Sequence, residues 1–279
     1  MKKLLSIALL STISFSANLV MPYFSYIDYS NKSIKDEAYN GGIYFSYFKM
    51  PYKLEADVET LNISYKDNTP DYNENDVTLV GNYFFNNFKV KLGIRNMFID
   101  QDNNNDSYDK VLFGGVLYYK YLDYNMGVDY YYSDYDDFHV NQITPHFGVY
   151  CGDYNSYMGS FYMSLDLNFI HLSKEAITNK DRYLNADLSI TNYQGPFSTT
   201  IRASVGKNAY KVANGGFVVY NLKEEYKNSI GLDVVYSLNK DTSLKVSYTR
   251  NNVKENNQNV FSNVFVGSLI YNFWWEDLY

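Results

Sequence analysis

The sequence predicts an all-β fold: a transmembrane antiparallel up-and-down β-barrel of about fourteen strands, with twelve or sixteen as the alternatives. Three observations carry this. Apolar side chains recur at every second position over segments of about ten residues, the period of a strand with two unlike faces. The connections between segments alternate between short and long. Aromatic residues, 32 Tyr and 18 Phe in 279 residues, gather beside the short connections.

The N-terminus comes first. Lys2 and Lys3 precede an apolar stretch from Leu4 to Ile13, followed by Ser14-Phe15-Ser16. This is the layout of a secretory signal peptide. The apolar stretch is too short to cross a bilayer as a helix, which takes about 20 residues. The expected division is therefore a leader over 1–16 and a barrel over 17–279. No later apolar run is long enough for a helical span.

Strand periodicity fills the rest of the chain. Val77, Leu79, Gly81, Tyr83 and Phe85 share one face, and Thr78, Asn82 and Asn86 the other, with Val80 and Phe84 as apolar exceptions. Phe88, Val90, Leu92 and Ile94 alternate with Lys89, Lys91, Gly93 and Arg95. Ile230, Leu232, Val234, Tyr236 and Leu238 alternate with Gly231, Asp233 and Ser237, and Leu244, Val246 and Tyr248 with Lys245, Ser247 and Thr249. One segment breaks phase. Leu54, Ala56 and Val58 share a parity that Leu61, Ile63 and Tyr65 do not, and a β-bulge near Thr60 would restore it.

Short connections are expected at 49–51, 86–87, 122–123, 152–156, 194–196 and 239–242. Long polar ones are expected at 30–37, 66–75, 100–109, 133–138, 173–180, 207–228 and 251–259, rich in the Asn, Asp and Gly that turns favour. Short turns at one end and long loops at the other describe an outer-membrane barrel. The 207–228 segment contains Phe217-Val218-Val219-Tyr220. It reads as an external hairpin, or as an added strand pair that brings the wall to sixteen. Aromatics flank the short turns: Phe48 and Tyr52; Phe85 and Phe88; Tyr119, Tyr121 and Tyr124; Tyr150, Tyr154 and Tyr157; Tyr193 and Phe197; Tyr271, Phe273, Trp274 and Trp275. Rings favour the membrane–water boundary, so these are expected to form a periplasmic girdle.

Here the chain resembles outer-membrane porins, especially the single-chain class with about fourteen strands and no plug domain. Its last strand, with Phe265, Gly267, Leu269, Tyr271 and Phe273 on one face, is similar to the terminal strand such proteins present to the outer-membrane assembly machinery. The tail 274–279 departs from that pattern. The resemblance implies a bacterial outer-membrane location, with membrane lipid and lipopolysaccharide as neighbours and monomer and trimer both open.

Other classes are disfavoured. A net charge of −7 does not suit nucleic acid. Cys151 alone forms no internal disulfide. No GxSxG, HExxH or phosphate loop is present, and no cofactor or metal is expected. His146 falls on the lumen parity without a ligand partner at metal spacing. His171-Leu172-Ser173 is similar to the His-x-Ser of lipid A deacylases. This low-ranked alternative, a lipid A-modifying hydrolase, has only two matching residues.

With apolar parity facing lipid, the other parity faces a polar lumen. Lys53, Glu55, Asp57 and Glu59 line one strand, and Lys89, Lys91 and Arg95 line another two positions over. Asp129, Asp166, Asp187, Arg202, Asp233 and Lys245 complete the wall. Charged rows set ion selectivity in pores; equally, such charges pair to satisfy a polar interior. Fourteen strands lie near the size that leaves a water channel. The expectation is a channel for passive diffusion of small hydrophilic solutes or ions, not an enzyme. A structural or adhesive surface barrel working through its external loops is the alternative.

Overall fold

In lipid every backbone N–H and C=O must be paired within the protein, and a sheet achieves this only by closing on itself. The computed structural model describes residues 18–66, 69–101, 107–121, 123–175 and 180–273. The expected leader and the 274–279 tail lie outside them. The wall strands are β1 Asn18–Tyr29, β2 Lys35–Lys49, β3 Tyr52–Tyr65, β4 Tyr72–Phe85, β5 Phe88–Gln101, β6 Ser107–Lys120 and β7 Tyr124–Tyr135. They continue as β8 Phe138–Gly152, β9 Ser160–Leu172, β10 Arg182–Gln194, β11 Phe197–Asn208, β14 Glu225–Ser237, β15 Thr242–Glu255 and β16 Gln258–Phe273. Each pairs antiparallel with its neighbour, and β1 pairs with β16 from Asn18↔Phe273 to Tyr29↔Ser262, closing a fourteen-stranded ring.

The period-two pattern holds along the strands, with register shifts between Lys35 and Ala38, Val205 and Asn208, and Tyr226 and Asn228. Along β4 every second side chain faces outward, so Leu79 is 53% exposed and its neighbour Val80 3%. The strands are longer than the roughly 9–11 residues needed to cross, running from 12 residues in β1 to 16 in β16. Fourteen residues such as those of β4 extend about 45 Å at ~3.3 Å per residue. A tilt of about 40° leaves roughly 35 Å of height, more than the apolar band of about 25 Å. The excess projects as wall beyond the membrane.

That excess absorbs two expected loops. The 133–138 and 251–259 connections are two-residue turns, with Tyr135↔Phe138 and Glu255↔Gln258 paired across them. Conversely, the expected short turn at 152–156 spans seven residues, 153–159. Asn192 and Gln194 of β10 hold it by donating to the carbonyls of Met158 (2.8 Å) and Tyr157 (2.7 Å). Gly159 sits at φ 72°, and a Cβ there would meet the Tyr193 carbonyl at 2.1 Å.

No bulge occurs at Thr60. β3 runs in unbroken register against β4 from Tyr52↔Tyr83 to Ile63↔Tyr72. The change of parity is a change of environment. Near the long-loop end the inner face turns apolar, and Ile63, 1% exposed, packs with Ala38, Tyr72 and Ile99, with Leu61, Tyr65 and Leu222 against them.

The aromatic clusters divide between two faces. Outside, rings touch in an unbroken chain from Tyr52 through Tyr83, Phe85, Phe88 and Tyr118 to Tyr124, with centroids 5.3–6.1 Å apart. This is the girdle. Phe48, Tyr119, Tyr150 and Tyr193 fall on the lumen parity instead, and Phe48 meets Phe84, and Tyr150 meets Tyr162, inside the ring. Alternation forces this split, because adjacent aromatics in a strand cannot share a face.

The outward belt makes a direct prediction. Val246, 66% exposed near mid-belt, replaced by Arg is expected to lose about 2–4 kcal/mol in lipid vesicles. Lys245→Ala, one residue away on the lumen side, is expected to lose far less. Urea unfolding of both variants checks the difference; equal losses would reverse the assignment of faces.

Candidate functional site

Between β11 and β14 the chain neither stays outside nor joins the wall. It enters the lumen. The segment carries a small hairpin, β12 Val212–Ala213 paired with β13 Val218–Val219, around a 3-10 turn at Asn214–Gly216. The wall therefore holds fourteen strands, not sixteen, and the expected external hairpin is an internal one.

An inward loop needs partners for its backbone and a cover for its apolar side chains. The wall supplies both. Gln142 clamps Val212, donating to its carbonyl at 2.7 Å and accepting its N–H at 2.8 Å. Arg95 donates to the Phe217 carbonyl at 2.9 Å. Lys211 reaches Asp187 at 3.0 Å and Asn185 at 3.2 Å. Asn221 donates to Glu74 at 2.5 Å, and Lys35 ion-pairs with buried Glu224 at the return. Ala209, Tyr210 and Val212 pack with wall residues Met97, Val111, Phe113, Tyr135, Val140 and Ile170 in one apolar cluster. Burial first, then the nearby Asp109 carboxylate, pushes the Tyr210 phenol well above its ordinary range. Gly216 lies at φ 107°, where a Cβ would stand 2.2 Å from the Phe113 ring.

Beneath this loop, toward the short-turn end, lies a cavity of about 410 Å³. Ten of the thirteen lumen residues expected from the sequence line it: Lys53, Glu55, Asp57, Glu59, Lys89, Lys91, Asp129, Asp166, Asp187 and Lys245. The loop residues Val212 to Gly215, with Phe217 and Val218, form its lid. Arg95, Arg202 and Asp233 face inward without lining it.

Most of these charges are paired. Arg95 is buried between Glu59 and Asp76. Lys91 meets Asp129 at 2.7 Å, Lys53 meets Glu55 at 2.9 Å, and Arg202 meets Asp233 at 2.7 Å. Tyr23 donates to Asp57 (3.1 Å) and Glu59 (2.7 Å). Among the described residues Lys89, Asp166 and Lys245 have neither ion pair nor side-chain hydrogen bond, and they face the cavity. His146 also lines it, its Nε2 unbonded, with no metal-binding group of side chains among the described residues.

Sequence periodicity found the wall charges but missed the loop's anchors: Gln142, Lys211, Glu74, Asp76, Glu224 and Lys35. Their signal was present. Val80 and Phe84 on the polar parity, and Leu61, Ile63 and Tyr65 out of phase, are lumen-facing apolar side chains that need something inside the ring to bury them.

The His171 and Ser173 pair is not assembled. Ser173 Oγ accepts the His139 N–H at 2.9 Å, while the nearest acidic partner of His171 is Asp181, at 3.8 Å.

No family model matches the chain, and no curated protein matches its sequence. Solved structures do match its shape. The CymD monoaromatic hydrocarbon channel gives a TM-score of 0.61 at 8% identity, over 95% of this chain and 90% of that one. The Ralstonia pickettii toluene transporter TbuX gives 0.59 at 7% identity, over 93% and 90%. A bacterial polysaccharide outer membrane secretin gives 0.56 at 11% identity, over 93% and 100%. The fold is that of a porin-like outer-membrane barrel.

In this porin-like barrel the buried ion cluster carries a testable cost. Arg95→Gln strands Glu59 and Asp76 without their counter-charge. Loss of a buried ion's partner costs about 3–5 kcal/mol, so the urea midpoint in vesicles is expected to fall clearly. An unchanged midpoint would show that the guanidinium does not hold this part of the wall.

Proposed function

We propose that this chain is an outer-membrane channel through which small hydrophilic solutes or ions diffuse passively, with the inward loop 209–224 setting the constriction. One observation supports the reading above others: a charged cavity of about 410 Å³ enclosed by a closed fourteen-stranded wall. Fourteen strands enclose more space than side chains fill, and here a loop, not the wall, takes up the surplus. Two of the structural neighbours are named for aromatic hydrocarbons. This cavity is lined with ions, which suits water-borne solutes better.

Six carboxylates (Glu55, Asp57, Glu59, Asp129, Asp166, Asp187) face it against four lysines (Lys53, Lys89, Lys91, Lys245). Rings of acidic side chains favour cations, so a modest cation preference is expected. The adhesive reading relied on the connection around 207–228 being displayed, and its middle, which carries β12 and β13, packs inside the ring.

Planar-bilayer recording tests the proposal. Purified protein is expected to give steps of conductance, and replacing Val212–Val219 by two glycines is expected to enlarge them several-fold. In a KCl gradient the Asp57→Asn, Asp166→Asn double variant is expected to shift the reversal potential toward anions. A barrel silent at every voltage, with the loop intact or excised, would end the channel reading.

A further inference from the structure

The outer surface of the ring is not uniform at the long-loop end. Following each strand outward past its apolar belt, we compared the first ionisable side chain on the lipid-facing parity. On β9, His171 follows Phe169; on β10, Arg182 follows Leu184; on β11, Lys207 follows Val205. On β14, Lys227 stands in the register shift between Tyr226 and Asn228, off the parity of Ile230, and its Nζ reaches exposed Asn259 of β16; on β15, Arg250 follows Tyr248. These five strands are consecutive neighbours in the wall. On the other side the first such groups are Asp28 on β1, Glu37 on β2, Asp100 on β5 and Asp134 on β7, with Lys110 on β6 and His139 on β8 the exceptions. The belt's upper margin is thus basic on one arc and acidic on the other.

Carboxylates near the basic arc only partly offset it. Asp181 lies 3.7 Å from Arg182, and Glu225 lies 2.7 Å from Lys207. Asp28 shares a backbone row with Arg250 through Asn263, whose amide it accepts. Lys227 donates to a neutral group, Asn259. Arg250 stacks over the Phe261 ring with its carbon 4.0 Å from the centroid. Stacking holds a guanidinium by its face and leaves its N–H edge free for a planar anion or phosphate.

Cations at the margin of an apolar belt stand where lipid headgroups begin, and each contributes to attraction by anionic lipid within a Debye length. We propose that the outward face of β9, β10, β11, β14 and β15 binds the phosphate groups of an outer-leaflet glycolipid through Arg182, Lys207, Lys227 and Arg250. The acyl chains lie on the belt residues beneath, among them Leu184, Val205, Ile230 and Tyr248. The inference takes from the outer-membrane reading only which leaflet the long-loop end meets; conduction plays no part in it, so a silent barrel leaves it standing.

The test is a titration of the purified full chain in detergent with diphosphoryl lipid A, read by native mass spectrometry. The probes beside it are lipid A stripped of phosphate and inorganic phosphate. The variant replaces Arg182, Lys207, Lys227 and Arg250 by Gln, and Lys110→Gln on the far arc is the control. Retention of the heat-sensitive gel shift shows that each variant is folded. Binding of diphosphoryl lipid A is expected to weaken at least tenfold in the four-site variant and to hold within twofold in Lys110→Gln. Phosphate-free lipid A is expected to bind the unaltered protein no better than the four-site variant binds the intact lipid. Equal binding of the two lipids, or an unaffected four-site variant, overturns the proposal. Displacement of the lipid by millimolar inorganic phosphate would make this a site for soluble anion and overturn the lipid assignment.

Discussion

The whole structure depends on one requirement: backbone polar groups in hydrocarbon find partners only along a closed ladder of strands. Closure fixes the rest. Once each strand is paired on both sides, its side chains have only two destinations, lipid or lumen, and they alternate between them along the wall, save at register shifts near the long-loop end in β2, β11 and β14. The phase of β3 shows how strict this is. Its hydrophobic residues change parity in mid-strand, yet the register against β4 does not slip. Pairing of the backbone outweighs the local preference of three side chains, and the interior is furnished to receive them.

That furnishing is the inward loop. A ring this wide has an interior too large for side chains to fill, and its upper half is filled by chain drawn from between β11 and β14. The lumen consequently has two characters. Where the loop lies, apolar wall residues such as Met97 and Val111 pack with Tyr210 of the loop as a conventional core, beside the polar wall groups that anchor it. Below it they are charged and mostly neutralise one another in pairs such as Lys91 with Asp129. The wall charges therefore divide into two groups. Most are engaged in satisfying a polar interior, and a few, including Lys89 and Asp166, remain free to meet a solute.

The wall was legible in the sequence because period-two patterning is local: Leu79 against Val80, or Leu244 against Lys245, declares its face without reference to any other strand. Strand number and the lumen parity of thirteen charged residues followed from that. What was not legible depends on distance. Nothing near Val212 in the chain signals that Gln142, seventy positions away, clamps its backbone. Strand ends were misjudged for a related reason. Asn, Asp and Lys mark loops in a soluble protein, but here they also mark wall that stands clear of the lipid, so residues 251–255 read as loop while forming strand. The apolar residues on the wrong parity were the one local trace of the loop, and they were legible only as exceptions.

The junction of β1 with β16 has a consequence in time. The chain's earliest wall strand finds its second neighbour only in the latest one, some 250 positions downstream, as in Asn18↔Phe273. Until that last strand is made, two bare strand edges remain, and a bare edge in hydrocarbon leaves its donors and acceptors unmet. A nascent chain cannot settle into the bilayer piecemeal as a helical protein can. It has to be kept soluble and unaggregated through the whole of its synthesis and then inserted near completion, so its vulnerability is concentrated before assembly rather than after it.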